Sequence, residues 1–223
     1  MVITPAFNNS VTSLAYTYGK TKAQGTIKVT SNITNLSHAY EECSALTGRI
    51  NSALLATNLS HAFKNCYSIT GEPFCGQEVV DLDYGYYNCQ NLSGRPACGK
   101  SVINMSRAYE NCYGLTGSPK CGENTSNMYR AYFNCYGISG APVGSDNTLN
   151  MSYAYWGCNS LNGKAYCGNF TENLAYAYVN CVGIEEAACG DSVIDMTNAY
   201  KGCVNLKKAA CGNSVTNLYN AFS

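Results

Sequence analysis

The chain carries little charge. Only 13% of its 223 residues are acidic or basic, and 14 of one sign balance 14 of the other. That balance offers no pull towards a polyanion, so neither nucleic acid nor an anionic membrane surface is an expected partner. Tryptophan occurs once, histidine twice and proline five times. No apolar run approaches the roughly 18–20 residues that cross a bilayer, and membrane insertion is not expected. The opening Met1-Val-Ile-Thr-Pro-Ala-Phe has no basic start followed by an apolar stretch and does not read as a secretion signal. There is no Gly-rich phosphate loop, no Gly-x-Ser-x-Gly elbow and no inward carboxylate pair. These absences argue against an enzyme and against a bound cofactor.

What the chain has in excess is 26 Asn, 21 Gly, 19 Tyr and 14 Cys. A repeat accounts for them. Cys43, Cys66, Cys89, Cys112, Cys135, Cys158, Cys181 and Cys203 are spaced by 23 residues six times and then by 22. An aromatic stands three residues before each, from Tyr40 through Phe63 and Tyr109 to Tyr200, and the same phase reaches Tyr18 and Phe222. A second row, Cys75, Cys98, Cys121, Cys167, Cys189 and Cys211, is followed each time by Gly, with Gly144 where the row skips. A fixed period of this length over nearly the whole chain means a solenoid in which each repeat is one coil.

Met105, Ala108, Tyr109 and Cys112 fall at i, i+3, i+4 and i+7, which predicts one face of a short helix. Asn104 precedes it and reads as its N-cap. Asn or Gly usually stands just before the first-row cysteine, as at Asn111, Asn134, Gly157 and Gly202. That alternation predicts a left-handed residue ending the helix. The following segment reads as a short extended stretch, and Pro73, Pro96, Pro119 and Pro142 should keep it irregular, because proline cannot donate to a ladder.

The string Ser214-Val-Thr-Asn-Leu-Tyr-Asn-Ala-Phe is similar to the BspA-like class of leucine-rich repeats, whose unit runs Ser-Val-Thr-x-Ile-x-x-x-Ala-Phe-x-x-Cys-x-x-Leu. Ser10-Val-Thr-Ser-Leu-Ala-Tyr-Thr-Tyr follows it in the first copy, and the likeness covers residues 10–223. It departs after the Leu, where x-Pro-x-Cys-Gly replaces the family's Ile-x-Ile-Pro strand. The resemblance implies a non-enzymatic binding or adhesion role, on bacterial or protist surfaces and in some bacteriophage proteins. The expected fold is an α/β solenoid: a right-handed leucine-rich-repeat coil with short helices on one face and short irregular strands on the other. Residues 1–30 read as a modified N-terminal capping coil around Ile27-Lys-Val29, and 31–223 as the continuous solenoid.

Fourteen cysteines admit three readings. A disulfide scaffold pairing within coils fails on numbers, eight against six. Zinc prefers Cys-x₂₋₄-Cys spacing, which is absent. Buried reduced thiols acting as small hydrophobes fit the first row, which lies on the inward face. His38 and His61 share one repeat position, five residues before a cysteine, and a Cys–His nucleophile is the sharp reading of that spacing. On a helix an inward Cys would leave the His outward, so two surface histidines are expected instead.

Function then rests on the outward positions that vary. Arg130, Phe133, Tyr153, Trp156, Tyr176 and Val179 gather the single Trp with other aromatics and an Arg, the residue types that anchor interfaces. This is the candidate partner-binding patch; no catalytic, cofactor or metal residue is assigned. The expected partner is a protein or glycan on a cell surface, or a sister subunit, with the chain placed on a virion or cell surface. The alternative is a structural protein that self-assembles through open solenoid ends or the aromatic patch into a fibre or lattice.

Overall fold

The computed structural model describes residues 10–27, 29–48 and 55–223. Within them the repeats stack in parallel and in register. Single-residue bridges run from Ser13 to Asn35 and on through Asn58, Asp81, Asn104, Asn127, Asn150, Asn173 and Asp195 to Asn217. Of the expected first coil, residues 1–9 and Lys28 lie outside the described residues; Gly25 bridges Leu46 of the next coil.

The α/β architecture is overturned. No helix occurs among the described residues, and the segments expected to be helical are tandem turns. The backbone amides of one coil explain why. Ala108, Glu110 and Cys112 donate to the carbonyls of Met105, Arg107 and Tyr109, closing spans of three residues rather than the four of an α-helix. The amides between them reach the next coil instead. Met105, Arg107, Tyr109 and Asn111 donate to Asn127, Tyr129, Ala131 and Phe133 at 2.7–2.8 Å. Ser106 N–H is taken by the Asn104 Oδ1 at 3.1 Å, so the expected N-cap is an Asx turn. Every amide from Asn104 to Cys112 therefore has an acceptor, and none of the bonds is helical. The turns need two left-handed residues, Arg107 at φ 52° and Asn111 at φ 62°, which no α-helix tolerates. The inward spacing survives the correction: Met105, Ala108, Tyr109 and Cys112 are all fully buried.

The opposite wall is paired far more loosely. In most coils it holds one bridge, such as Gly94 to Leu115 or Gly117 to Ile138. A regular sheet forms only late: β1 (Asn162–Tyr166), β2 (Gly183–Ala188) and β3 (Lys208–Ala210) pair in parallel in that order. The register puts Ala165 beside Ala187 and Ala187 beside Ala209, at the repeat position that Pro73, Pro96, Pro119 and Pro142 occupy earlier. The sheet appears where alanine restores the amide that proline lacks.

Between the walls lie two columns of side chains. Tyr18, Tyr40, Phe63, Tyr86, Tyr109, Tyr132, Tyr155, Tyr178, Tyr200 and Phe222 stack face to face, with centroids 5.0–5.8 Å apart. Their hydroxyls cross the coil and tie the walls together. Tyr86 donates to the Phe74 carbonyl at 2.6 Å and Tyr155 to Val143 at 2.7 Å, and Tyr109 and Tyr132 do the same to Ala97 and Lys120. First-row thiols point to the preceding coil: Cys66, Cys89, Cys112 and Cys135 donate to the carbonyls of Tyr40, Phe63, Tyr86 and Tyr109 at 3.0 Å. The first row is a ladder of S–H donors satisfying carbonyls that would otherwise share one amide each.

The skip in the second row has a steric cause. A Cβ at position 144 would lie 2.7 Å from the Cys167 carbonyl oxygen and 3.0 Å from the Met151 sulfur, so only glycine fits.

Candidate interaction surface

The turns that displaced the helices also decide what the surface presents. The first left-handed position of each coil forms one column: Tyr16, His38, His61, Tyr84, Arg107, Arg130, Tyr153, Tyr176, Asn198 and Asn220, all at φ 50–60°. A non-glycine residue there costs roughly 1–2 kcal/mol, yet none of these ten is glycine. The second left-handed position is filled by Asn or Gly in most coils. Its Asn65, Asn88, Asn111 and Asn134 form an amide ladder, each bonded to its neighbour at 2.8–3.0 Å.

Side chains in the first column are planar and stacked. Ring centroids lie 4.5 Å apart for Tyr16–His38, 4.4 Å for His38–His61, 4.7 Å for His61–Tyr84 and 4.7 Å for Tyr153–Tyr176. The two arginines continue the stack between the rings. Arg107 lies 5.0 Å over Tyr84, and Arg130 lies 5.0 Å over Tyr153 and 4.6 Å over Phe133. Glu110 holds both guanidiniums, at 3.2 Å from Arg130 Nη1 and 3.7 Å from Arg107 Nε. Burial pushes the Glu110 carboxyl above its ordinary pKa, and the two arginines pull in the opposite direction.

The expected patch is largely assembled. Trp156 stacks within 5.8 Å of Phe133, 5.6 Å of Tyr153 and 5.8 Å of Tyr176, and Arg130 lies over Phe133 and Tyr153. These five are half-buried. Val179 does not belong with them: at 3% exposure it lies beneath the surface. Its short side chain is flanked by the longer Trp156 and Lys201 in the adjoining coils. Tyr129 was missed by the sequence reading. It meets Tyr153 edge-on at 6.1 Å and lies between Arg107 and Arg130, at 5.2 and 5.6 Å. Ser37, Ser60, Ser106 and Ser152 hold the equivalent position in other coils, so its aromatic character was the available signal.

The spacing of His38 and Cys43 does not assemble a nucleophile–base pair. His38 Nδ1 contacts Glu41 Oε2 at 2.7 Å, while Cys43 turns inward and donates to the Tyr18 carbonyl at 3.0 Å. The candidate nucleophile and base are thus engaged elsewhere. Burial raises the Cys66, Cys89, Cys112 and Cys158 thiols well above their ordinary range, the opposite of an activated nucleophile. Among the described residues no three His, Cys, Asp or Glu side chains converge on one ion, and no helix is long and apolar enough to cross a membrane. No family model, curated protein or solved structure matches the chain.

Proposed function

We propose that the chain is a non-enzymatic interaction module, used in adhesion or receptor binding on a virion or cell surface. Its contact is the row Arg130, Phe133, Tyr153, Trp156 and Tyr176, with Tyr129 at its edge. The observation that carries this reading is the left-handed column. Gly157 and Gly202 relieve the same backbone geometry at the neighbouring position. In the first column the strain is retained in every coil, and strain of that kind is kept where a side chain is needed. A protein partner suits the row better than a glycan. Sugar rings stack on open aromatic faces, and here the faces are covered by neighbours at 4.7–5.8 Å. What remains outward are ring edges, hydroxyls and guanidinium N–H groups, which suit a polypeptide surface.

The test uses labelled chain on a panel of bacterial cells, with and without protease treatment of the cell surface. Binding should vanish after proteolysis, survive periodate oxidation of surface glycans, and weaken about thirtyfold in a Trp156→Ala/Phe133→Ser variant. Unchanged binding by that variant would refute the assignment, and loss on periodate alone would hand the site to a glycan.

A second reading, self-assembly, is favoured by the coil at residues 204–223. Val204 is 77% exposed and Tyr219 68%, beside the open ring of Phe222. The amides of Leu218, Asn220 and Phe222 have no acceptor among the described residues, whereas their equivalents Met196, Asn198 and Tyr200 each bond the following coil. That face suits one more coil, whether a further repeat of the same chain or another copy, and unpaired edges template such pairing. Regular polymers in electron microscopy of the purified chain would support this reading, and monomers would exclude it.

A further inference from the structure

Two sets of sulfur atoms, cysteines of the loosely paired wall beside a methionine of the turn wall, have no part in the surface just described. Cys75 and Cys98 hold the same repeat position in adjacent coils. Cys98 Sγ lies 3.6 Å from the thioether sulfur of Met105, and the Gly99 N–H donates to Cys75 Sγ at 3.2 Å. Four coils further on the construction recurs. Cys167 and Cys189 hold that position in a second pair of adjacent coils, Cys189 Sγ lies 3.9 Å from Met196 Sδ, and the Gly190 N–H donates to Cys167 Sγ at 3.4 Å. Position 144, where no side chain fits, separates the two sets. In both the methionine belongs to the second coil, while the first coil has Leu82 or Leu174 at that position.

We infer that Cys75–Cys98–Met105 and Cys167–Cys189–Met196 are two binding sites for Cu(I). Metal–thiolate bonds of about 2.3 Å place the ligands of a three-coordinate ion about 4 Å apart. The cysteine–methionine separations of 3.6 and 3.9 Å match that spacing before any ion enters. Two thiolates and a thioether form a soft ligand set, which selects Cu(I) over harder divalent ions. Binding displaces the thiol protons: one Cu(I) and two thiols give a bis-thiolate complex and two protons released to solvent. The ion accepts the thioether lone pair, and no electrons change hands. The site then carries one negative charge, and the glycine N–H on the first thiolate is already aimed at it. Cys75, Cys98 and Cys189 are partly exposed, which provides entry. Zinc-type sequence spacing is absent because the ligands come from neighbouring coils.

The test titrates fully reduced protein with Cu(I) under anaerobic conditions against a chromogenic Cu(I) chelator. Two ions per chain should be retained, with a copper-edge absorption spectrum showing three sulfur ligands. Cys98→Ala should abolish one ion and Cys189→Ala the other. Met105→Leu and Met196→Leu, whose new side chain is native at Leu82 and Leu174, should keep the fold and weaken their respective sites at least about tenfold. Failure to compete with the chelator would overturn the proposal. So would retention unaffected by the cysteine variants, uptake tracking the eight first-row thiols, or a two-sulfur shell in the unmodified protein.

Discussion

Each coil has two walls, and they obey different rules. On the turn wall every amide from Met105 to Cys112 is committed, alternately to the next coil and to its own turn. Aromatic, Cys and left-handed positions recur there in coil after coil. On the opposite wall pairing drops to single bridges wherever proline stands, and residue identity drifts with it. Pro gives way to Ala, Cys to Gly144, and buried Val102 to Thr125, Thr148 and Thr171, whose hydroxyls each donate to the preceding coil's carbonyl at 2.9 Å. Where the backbone is bonded coil to coil at alternate amides, side chains repeat; where it is not, they are free to specialise. The interaction row lies on the first wall, and the sulfur sets join cysteines of the second to a methionine of the first.

The largest way to break the first wall is alkali. Burial raises the thiols of Cys89, Cys112, Cys158 and Cys181 above 9.0 and the phenols of Tyr86, Tyr109, Tyr132 and Tyr155 above 10.0. Raised acidic groups hold their protons in the folded state while the unfolded chain releases them. Their stability is complete below the unfolded values and is lost as pH rises through them. Each group ionising only on unfolding removes about 1.4 kcal/mol per pH unit. Urea midpoints should be flat near neutrality and collapse above about pH 9. A midpoint that held to higher pH would mean these groups are solvated.

Next in size is the ring column. Tyr132→Ala removes a ring stacked on both sides and should cost about 3–5 kcal/mol in urea unfolding. Tyr132→Phe keeps the stack but loses the bond that ties the walls together at Lys120, at a cost of about 1 kcal/mol. A similar loss in both variants would mean that the crossing hydroxyl, not the stack, joins the walls. Asn111→Ala should cost about 1–2 kcal/mol through its left-handed backbone, whereas Asn111→Gly, matching Gly157, should cost less. The smallest stability effect belongs to Tyr153→Gly. Relief of the left-handed strain should offset lost stacking to within about 1 kcal/mol, while binding to cells falls tenfold or more. A stability loss as large as that of Tyr132→Ala would make the column a structural element.

The repeat, its inward columns and the damping of strands by proline were legible because they rest on period and on one missing N–H. The helices were misread because tandem four-residue turns return Met105, Ala108, Tyr109 and Cys112 inward at nearly the same spacing as a 3.6-residue helix. Asn111 signalled its left-handed backbone through alternation with Gly at Gly157 and Gly202. Arg107, Tyr153 and Tyr176 gave no such signal, since those residue types do not favour positive φ. Five of the six residues expected outward lie together at the surface, because outward direction survives the change from helix to turns. The burial of Val179 depends on the size of its neighbours in adjacent coils, and the glycine at 144 on a carbonyl from another coil.

The central claim is that the surface column is built on tandem turns, and backbone chemical shifts across Asn104–Cys112 test it most directly. The account predicts left-handed shifts at Arg107 and Asn111, each set between residues of other conformation, and the same pattern at Arg130 and Asn134. An unbroken run of α-helical shifts through these segments would contradict it.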